Sequence, residues 1–298
     1  MIDKIKIDLK NSYESFFHFS LDLIKTMNKD NQNLKFAVVN MQIALELFLK
    51  YYFISIGKHD WVFKDTKSPN KLEFRDFAQI LDRFYSNPDI LISKKKSLKH
   101  ILDSRNDIVH KGKCNDWDDK LADNLINCTL FIQGLLNKEF AESLIPLSYE
   151  ESEFSRNWIW RKGAEKFAAD LAELNKCNVY ECIDCCSKAL IDKKIFTYDE
   201  YNDEGFQCIT CLRDLQLHNQ IELCKCTACD ENSFIIDCLN EQVNHTYNGC
   251  CVNCGMKYFA YKCDSCGNYF LDFDNERIEV NNHIFCSDKC KCSFDEKL

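Results

Sequence analysis

Three stretches built alike decide how this chain folds: Cys182-Ile183-Asp184-Cys185 with Cys208-Ile209-Thr210-Cys211, Cys226-Thr227-Ala228-Cys229 with Cys251-Val252-Asn253-Cys254, and Cys263-Asp264-Ser265-Cys266 with Cys286-Ser287-Asp288-Lys289-Cys290. The intervals inside the three units are 22, 21 and 19 residues. A Cys-x2-Cys turn aims two thiolates at one point, and a second pair about 15 to 20 residues on closes a tetrahedron around a soft divalent ion. A unit that recurs three times reads as small modules in series. Gly255 and Gly267 each follow the last cysteine of a pair, where a backbone with positive φ relieves the turn.

Working outward, 18 of the 20 cysteines lie between Cys177 and Cys292, so the chain divides into a cysteine-poor front and a cysteine-rich back. Charge divides with them. Residues 1–150 carry 22 Lys and Arg against 21 Asp and Glu, net +1; residues 151–298 carry 16 against 26, net −10. A composition that is 46% hydrophobic and 29% charged excludes a collagenous or largely disordered chain. With only 3 Pro and 8 Gly, it also disfavours a turn-dense sandwich throughout. The opening Met1-Ile2-Asp3-Lys4-Ile5-Lys6-Ile7-Asp8 alternates charge with single apolar residues, so no signal peptide is expected, and the longest apolar run, Ile43 to Ile56, is broken by Glu46 and Lys50, so neither is a membrane span. A cytoplasmic, reducing location follows, where paired cysteines serve as metal ligands rather than disulfides.

The expected ion is therefore Zn2+, in three structural sites: Cys182, Cys185, Cys208 and Cys211; Cys226, Cys229, Cys251 and Cys254; Cys263, Cys266, Cys286 and Cys290. Four thiolates leave no open coordination position, the mark of structural rather than catalytic zinc. Adjacent cysteines leave the choice open at three places: Cys186 competes with Cys185, Cys224 with Cys226, and Cys250 with Cys251. His245 and His283 are further alternatives to a thiolate. The first two units resemble zinc ribbons; the third, whose last two cysteines fall at the start of a helical stretch, resembles a treble clef. Three filled sites would take the back half to about −16, a surface that repels nucleic acid at long range and suits a protein partner or a trigger.

The front reads as helices. Leu9 to Met27 and Leu34 to Ile56 have helical apolar spacing, and in the second the polar residues Gln42, Glu46 and Lys50 fall on one stripe. A helix so apolar on its other sides calls for a second subunit. Leu72 to Tyr85 gives a short amphipathic helix, Asn87-Pro88-Asp89 starts another, and Asp116 is placed to cap a helix from Trp117 to Phe140. The fold class expected is α+β and multidomain: an all-α bundle over 1–146, a connecting helical segment over 147–176 in which Trp158 and Trp160 pack on a neighbouring domain, and β-rich zinc modules over 177–222, 223–259 and 260–298.

Between the fourth and fifth helical patterns stands Ser104-Arg105-Asn106-Asp107-Ile108-Val109-His110-Lys111-Gly112. Arg105, the Asn directly after it, and His110 resemble the Arg-x4-His motif of the HEPN superfamily, helical bundles that include metal-independent RNA endonucleases. Residues 8–145 carry the resemblance. It implies a homodimer whose two motifs share one cleft, an RNA substrate, and a role as a toxin or anti-phage effector. The chemistry of the residues agrees. Cleavage of RNA without a metal needs proton transfer from the 2′-hydroxyl and to the leaving 5′-oxygen, which an imidazole such as His110 performs near neutral pH, and a cation on the phosphorane, which the forked guanidinium of Arg105 supplies. Asn106 would orient the phosphate or the His, and Asp107 would hold Arg105 or cap the next turn. The products are a 2′,3′-cyclic phosphate and a 5′-hydroxyl, which excludes DNA. Lys94, Lys95, Lys96, Lys99, Lys111 and Lys113 join Arg105 against Asp103 and Asp107, a net of +5 over 20 residues that fits an RNA-binding rim. A second Arg-x4-His, Arg213 to His218, follows Cys211 in a zinc knuckle and is accidental. The rival expectation is an inactive HEPN-like dimerisation module with the zinc units as an adaptor.

Overall fold

A computed structural model describes residues 1–27, 31–64, 72–86, 118–145, 156–196, 205–216, 221–242, 246–272 and 277–295. The chain is α+β, with helices first and small antiparallel sheets after them. Among the described residues the helices are α1 (Ile2–Thr26), α2 (Asn31–Ser55), the single turn α3 (His59–Val62), α4 (Phe77–Tyr85), α5 (Asp119–Phe140) and α6 (Trp158–Asn175), with α7 (Asp288–Asp295) after the sheets.

Helix α1 buries Leu9, Tyr13, Phe17, Leu21 and Ile24, a stripe repeating every three or four residues, and lays it against α2. The two run antiparallel: Ser20 donates to the Ala37 carbonyl at 2.8 Å, while Tyr13 meets Phe48 and Tyr51 at 5.3 Å between ring centres. Helix α5 lies along the other side of α2, with Cys128 beside the Met41 carbonyl and Phe140 against Tyr51 and Tyr52. Phe84 of α4 closes the corner against Tyr52, Phe53 and Phe131. Enclosed by α1, α4 and α5, α2 is covered largely within one chain. Among the described residues it is the one helix long and apolar enough to cross a bilayer, and 72% of that window is buried in the protein.

The polar stripe of α2 is buried: Gln42 and Lys50 are 2% and 7% exposed, Lys50 pairs with Glu46 at 2.6 Å and sits over the Phe74 ring, and among the described residues Gln42 Oε1 has no hydrogen-bond partner. The cap of α5 is Asp118, whose carboxylate accepts from the backbone N–H of Lys120 and Leu121, so the helix starts at Asp119 and not at Trp117; Asp116 lies outside the described residues.

Helix α6 starts at Trp158, capped by Asn157. It packs so closely on α5 that a Cβ on Gly163 would stand 2.5 Å from Ile126 Cβ. Beyond it come β1 (Leu190–Asp192), β2 (Gly205–Cys208) and β3 (Asp214–Gln216) in one sheet, then β4 (Ile221–Cys224), β5 (Phe234–Gln242), β6 (Thr246–Cys251), β7 (Lys257–Lys262) and β8 (Tyr269–Leu271) in a five-stranded sheet, and the hairpin β9 (Ile278–Val280) and β10 (His283–Phe285). All pairings are antiparallel neighbours in sequence, and Cys-bearing turns join β2 to β3, β4 to β5, β6 to β7 and β7 to β8. The helical core does not stop at α6: Ala189, Leu190, Ile191, Phe196, Ile209, Leu215 and Ile235 belong to the same buried cluster as α1, α2 and α5.

Gly163→Val places two methyl groups where Ile126 already is. It should lower the free energy of unfolding by about 1–3 kcal/mol, measured by denaturant titration of the metal-loaded protein, and an unchanged midpoint would mean that α5 and α6 are not in this contact.

Candidate metal centres

Five of the six cysteine pairs form the same turn. In each, the backbone N–H of the first cysteine donates to the carbonyl five residues on: Cys182 to Ser187, Cys208 to Arg213, Cys226 to Glu231, Cys251 to Met256 and Cys263 to Asn268, at 2.7–2.9 Å. The residue after the second cysteine has positive φ in every case: Cys186 at 54°, Leu212 at 62°, Asp230 at 63°, Gly255 at 76° and Gly267 at 75°. The backbone must reverse there for both thiols to face the same point, so glycine is favoured, and where another residue stands it bears the strain. This conformation separates neighbours that spacing alone leaves level. Cys186 occupies the reversal position, exposed, with its carbonyl taken by Arg161. The sixth pair differs: Cys290 lies in the first turn of α7, with its N–H donated to Ser287 Oγ at 3.3 Å.

The turns bring twelve sulfurs into three groups of four: Cys182, Cys185, Cys208 and Cys211; Cys226, Cys229, Cys251 and Cys254; Cys263, Cys266, Cys286 and Cys290. Within each group all ligand atoms lie within 4.8 Å of one another. Sulfur separations include 3.7 and 3.8 Å in the first centre, 3.6 and 3.8 Å in the second, and 3.5 and 3.9 Å in the third. A tetrahedron with metal–sulfur bonds of about 2.3 Å has sulfur–sulfur edges of about 3.8 Å, whereas a disulfide bond is about 2.05 Å. The donor set therefore fits one four-thiolate ion per group.

Electrostatics makes the same demand. In the first centre hydrogen bonds from the thiols of Cys182, Cys208 and Cys211 hold the Cys185 thiol far below its ordinary value, while burial pushes Cys208 well above. Four sulfurs this close cannot all ionise against one another's charge, and a divalent cation is what lets the remaining protons leave. The second centre repeats this: burial opposes ionisation of Cys251, but the Cys254 N–H and the Ser233 hydroxyl outweigh it and bring the thiol to about 6.

The other sulfurs stand apart. Burial raises Cys250 to about 12 and Cys224 to about 11, and Cys128 is fully buried in α5 beside α2. His283 pairs with Asp264 at 3.3 Å and is no member of a centre; His245 lies outside the described residues.

Several residues outside the cysteine pairs position the first centre. Trp160, fully buried, donates its indole N–H to the Thr210 carbonyl at 2.8 Å, inside one turn of the centre. Thr210 Oγ1 meets Ser187 Oγ at 2.8 Å, and Ser187, just past the other turn, donates to Glu165 at 2.8 Å. Glu165 also accepts from the Lys188 N–H and from Arg161. Burial raises the Glu165 carboxyl, but those donors outweigh it and hold the group below the usual carboxylate range. Its stabilisation is present above that range and fades as acid protonates it. Helix α6 thus grips both turns. The expected packing of this segment's tryptophans on a neighbouring domain holds for Trp160 and not for Trp158, which is 40% exposed; the only other advance signal was the four-residue spacing of Arg161 and Glu165.

Arg213 is locked in place. It binds Asp184 of the first centre's turn and forks onto Asp237 of β5 at 3.0 and 3.2 Å, with Asp237 buried. The second Arg-x4-His is thereby a structural link between the first and second modules on its arginine side, and His218 lies outside the described residues. Arg105, Asn106, Asp107 and His110, with Lys94, Lys95, Lys96, Lys99, Lys111 and Lys113, also lie outside the described residues; what is described are the packed helices before and after them, α4 and α5.

Compared with family models, curated proteins and solved structures, the chain matches none.

Arg213→Ala leaves Asp237 buried without its partner, which costs about 3–5 kcal/mol in a denaturant titration; a loss below about 1 kcal/mol would show a solvated pair instead. Gly267→Ala meets nothing within 4 Å, so its cost is backbone alone: about 1 kcal/mol, read as weaker metal retention by the third centre in competition with a chelator.

Proposed function

We propose that this chain is a metal-independent endoribonuclease of HEPN type, a homodimer whose fold is held by three structural zinc ions and whose acidic zinc-bearing half meets a protein partner or trigger. One observation carries the reading: Arg105, Asn106 and His110 fall in a segment of net +5 within a chain of net −9, between two helices of a packed bundle. A cationic island around one imidazole and one guanidinium is what cleavage through a 2′-hydroxyl requires. His110 moves the protons, Arg105 holds the phosphorane oxygens, and Asn106 and Asp107 keep them oriented. Zinc is the ion that the donor sets fit, since four thiolates in a tetrahedron select a soft divalent metal, and closed coordination confines it to holding the modules together. Twelve thiols kept free for metal suit a reducing, cytoplasmic setting. A growth-arresting or anti-phage role rests on the family resemblance alone.

A second reading is favoured by a different surface. Phe259 and Tyr258 are exposed beside a cleft of about 460 Å³ that Ile183 and Asn248 help to line, where the first and second modules meet. Exposed aromatic residues at a cleft suit a protein-binding adaptor built on an inactive bundle.

Incubation of the zinc-loaded protein with total RNA in EDTA decides between them. The nuclease yields 2′,3′-cyclic phosphate ends, and Arg105→Ala and His110→Ala each lower the rate by about 10²–10⁴-fold. RNA left intact by a protein that retains its zinc, or cleavage undiminished in both variants, sinks the nuclease and leaves the adaptor.

A further inference from the structure

The three centres are not equally protected. In the first, Cys182 and Cys208 are fully buried and lie within the cluster that also forms the helical core. In the second, Cys254 is exposed, but Cys226 and Cys251 sit in a second cluster with Phe234, Ile236 and Tyr247. Its sulfurs also have side-chain donors: Ser233 Oγ stands 3.1 Å from Cys251 and 3.8 Å from Cys229, and the Asn253 amide donates to Cys229 at 3.6 Å. Hydrogen bonds to a thiolate draw off charge and lower its nucleophilicity.

The third centre is the least sheltered. Cys263 is buried, but Cys266 is exposed and Cys286 and Cys290 are half-buried, and the side-chain oxygen beside Cys286, Ser287 Oγ at 4.0 Å, accepts from the sulfur rather than donating to it. Ile284 and Phe285 are buried, but no residue from 277 to 295 joins either of the two larger buried clusters. The contacts that hold the module are ring contacts of Phe294 with His283 and Phe285, reciprocal bonds between Asp264 and the Ile284 backbone, Arg277 against Tyr261 and Asp272, and its four sulfurs. Cys286 and Cys290 are 3.5 Å apart, within reach of an S–S bond after a small movement of α7.

We propose that the third centre is an oxidation site for peroxides, at which Cys286 and Cys290 become a disulfide and the metal leaves while the other two centres keep theirs. The chemistry balances. The Cys286 thiolate attacks one peroxide oxygen, giving a sulfenic acid and hydroxide; the Cys290 thiolate then attacks that sulfur, forming the S–S bond and expelling a second hydroxide. Two thiolates lose two electrons, and the peroxide gains them. Cys263 and Cys266 alone supply two of four ligands, too few to retain the ion. Because the module has so little apolar core, loss of the ion melts α7 and the β9–β10 hairpin and leaves the bundle standing.

This inference rests on the zinc reading above, and one experiment separates the two. The full chain is loaded with zinc, its metal content measured, and hydrogen peroxide added in the presence of a chromogenic zinc chelator, with disulfides mapped by mass spectrometry after alkylation of the remaining thiols. The expected course is three zinc ions per chain at the start, one released on the order of tenfold faster than the other two, a Cys286–Cys290 disulfide accompanying it, and reversal by a thiol reductant with added zinc. Cys292→Ser should release the same first ion at the same rate, since Cys292 is outside the centre. Release of all three ions together, or a first disulfide between other cysteines, overturns the inference with the zinc reading intact. Fewer than three ions at the start overturns the zinc reading, and the inference with it.

Discussion

The grip of helix α6 on both turns of the first four-cysteine centre is the contact on which the rest of the molecule depends. Trp160 reaches the Thr210 carbonyl, Thr210 meets Ser187, and Ser187 and the Lys188 N–H meet Glu165, so a chain of hydrogen bonds runs through otherwise apolar packing. Each bond contributes only about 1 kcal/mol net, but each buried donor or acceptor left alone costs more than its bond contributes. The arrangement is therefore cooperative: the turns must be closed by their sulfurs for the hydroxyls to meet, and α6 must be seated for the turns to be held. Gly163 lets α6 approach α5, and Phe196 fills the notch left by Gly134, where a Cβ would be 2.6 Å from its ring.

One consequence is a gradient of order along the chain. The first centre shares its core with the helices, the second has a small cluster of its own on the five-stranded sheet, and the third has ring contacts and sulfurs. Small modules bury too little surface to fold alone, and metal closure replaces the missing core progressively toward the far end. The Arg213 link with Asp184 and Asp237 joins the first module to the second, so two of the three centres are mechanically continuous with the bundle.

Much of the metal architecture was legible in the spacing, because a turn of two residues between cysteines admits few backbone paths. What spacing left level was the choice between adjacent cysteines. Cys186 and Cys185 differ by one position, and only the reversal of the backbone after Cys185, shared with Leu212, Asp230, Gly255 and Gly267, shows which thiol faces inward. The polar stripe of α2 was open for a related reason: helical periodicity tells which residues share a face, and not what covers it. Gln42 and Lys50 share a face that the fold buries. Tyr52, Phe53 and Phe84, drawn from α2 and α4, converge in one aromatic corner that no local pattern announces.

By itself, then, the order of amino acids determined the helical front, the three repeated cysteine units and their separate charge, since helix periodicity, short-turn geometry and net charge are all set over a few neighbouring residues or by simple addition. The tertiary structure alone decided that the segment around Trp160 is a clamp on the first centre, that Arg213 is a buried link, and that the three centres differ in shelter. Those properties arise between residues 20 to 50 or more positions apart, such as Glu165 with Ser187 and Trp160 with Thr210. Their meeting depends on how whole elements pack, which no short window of sequence contains.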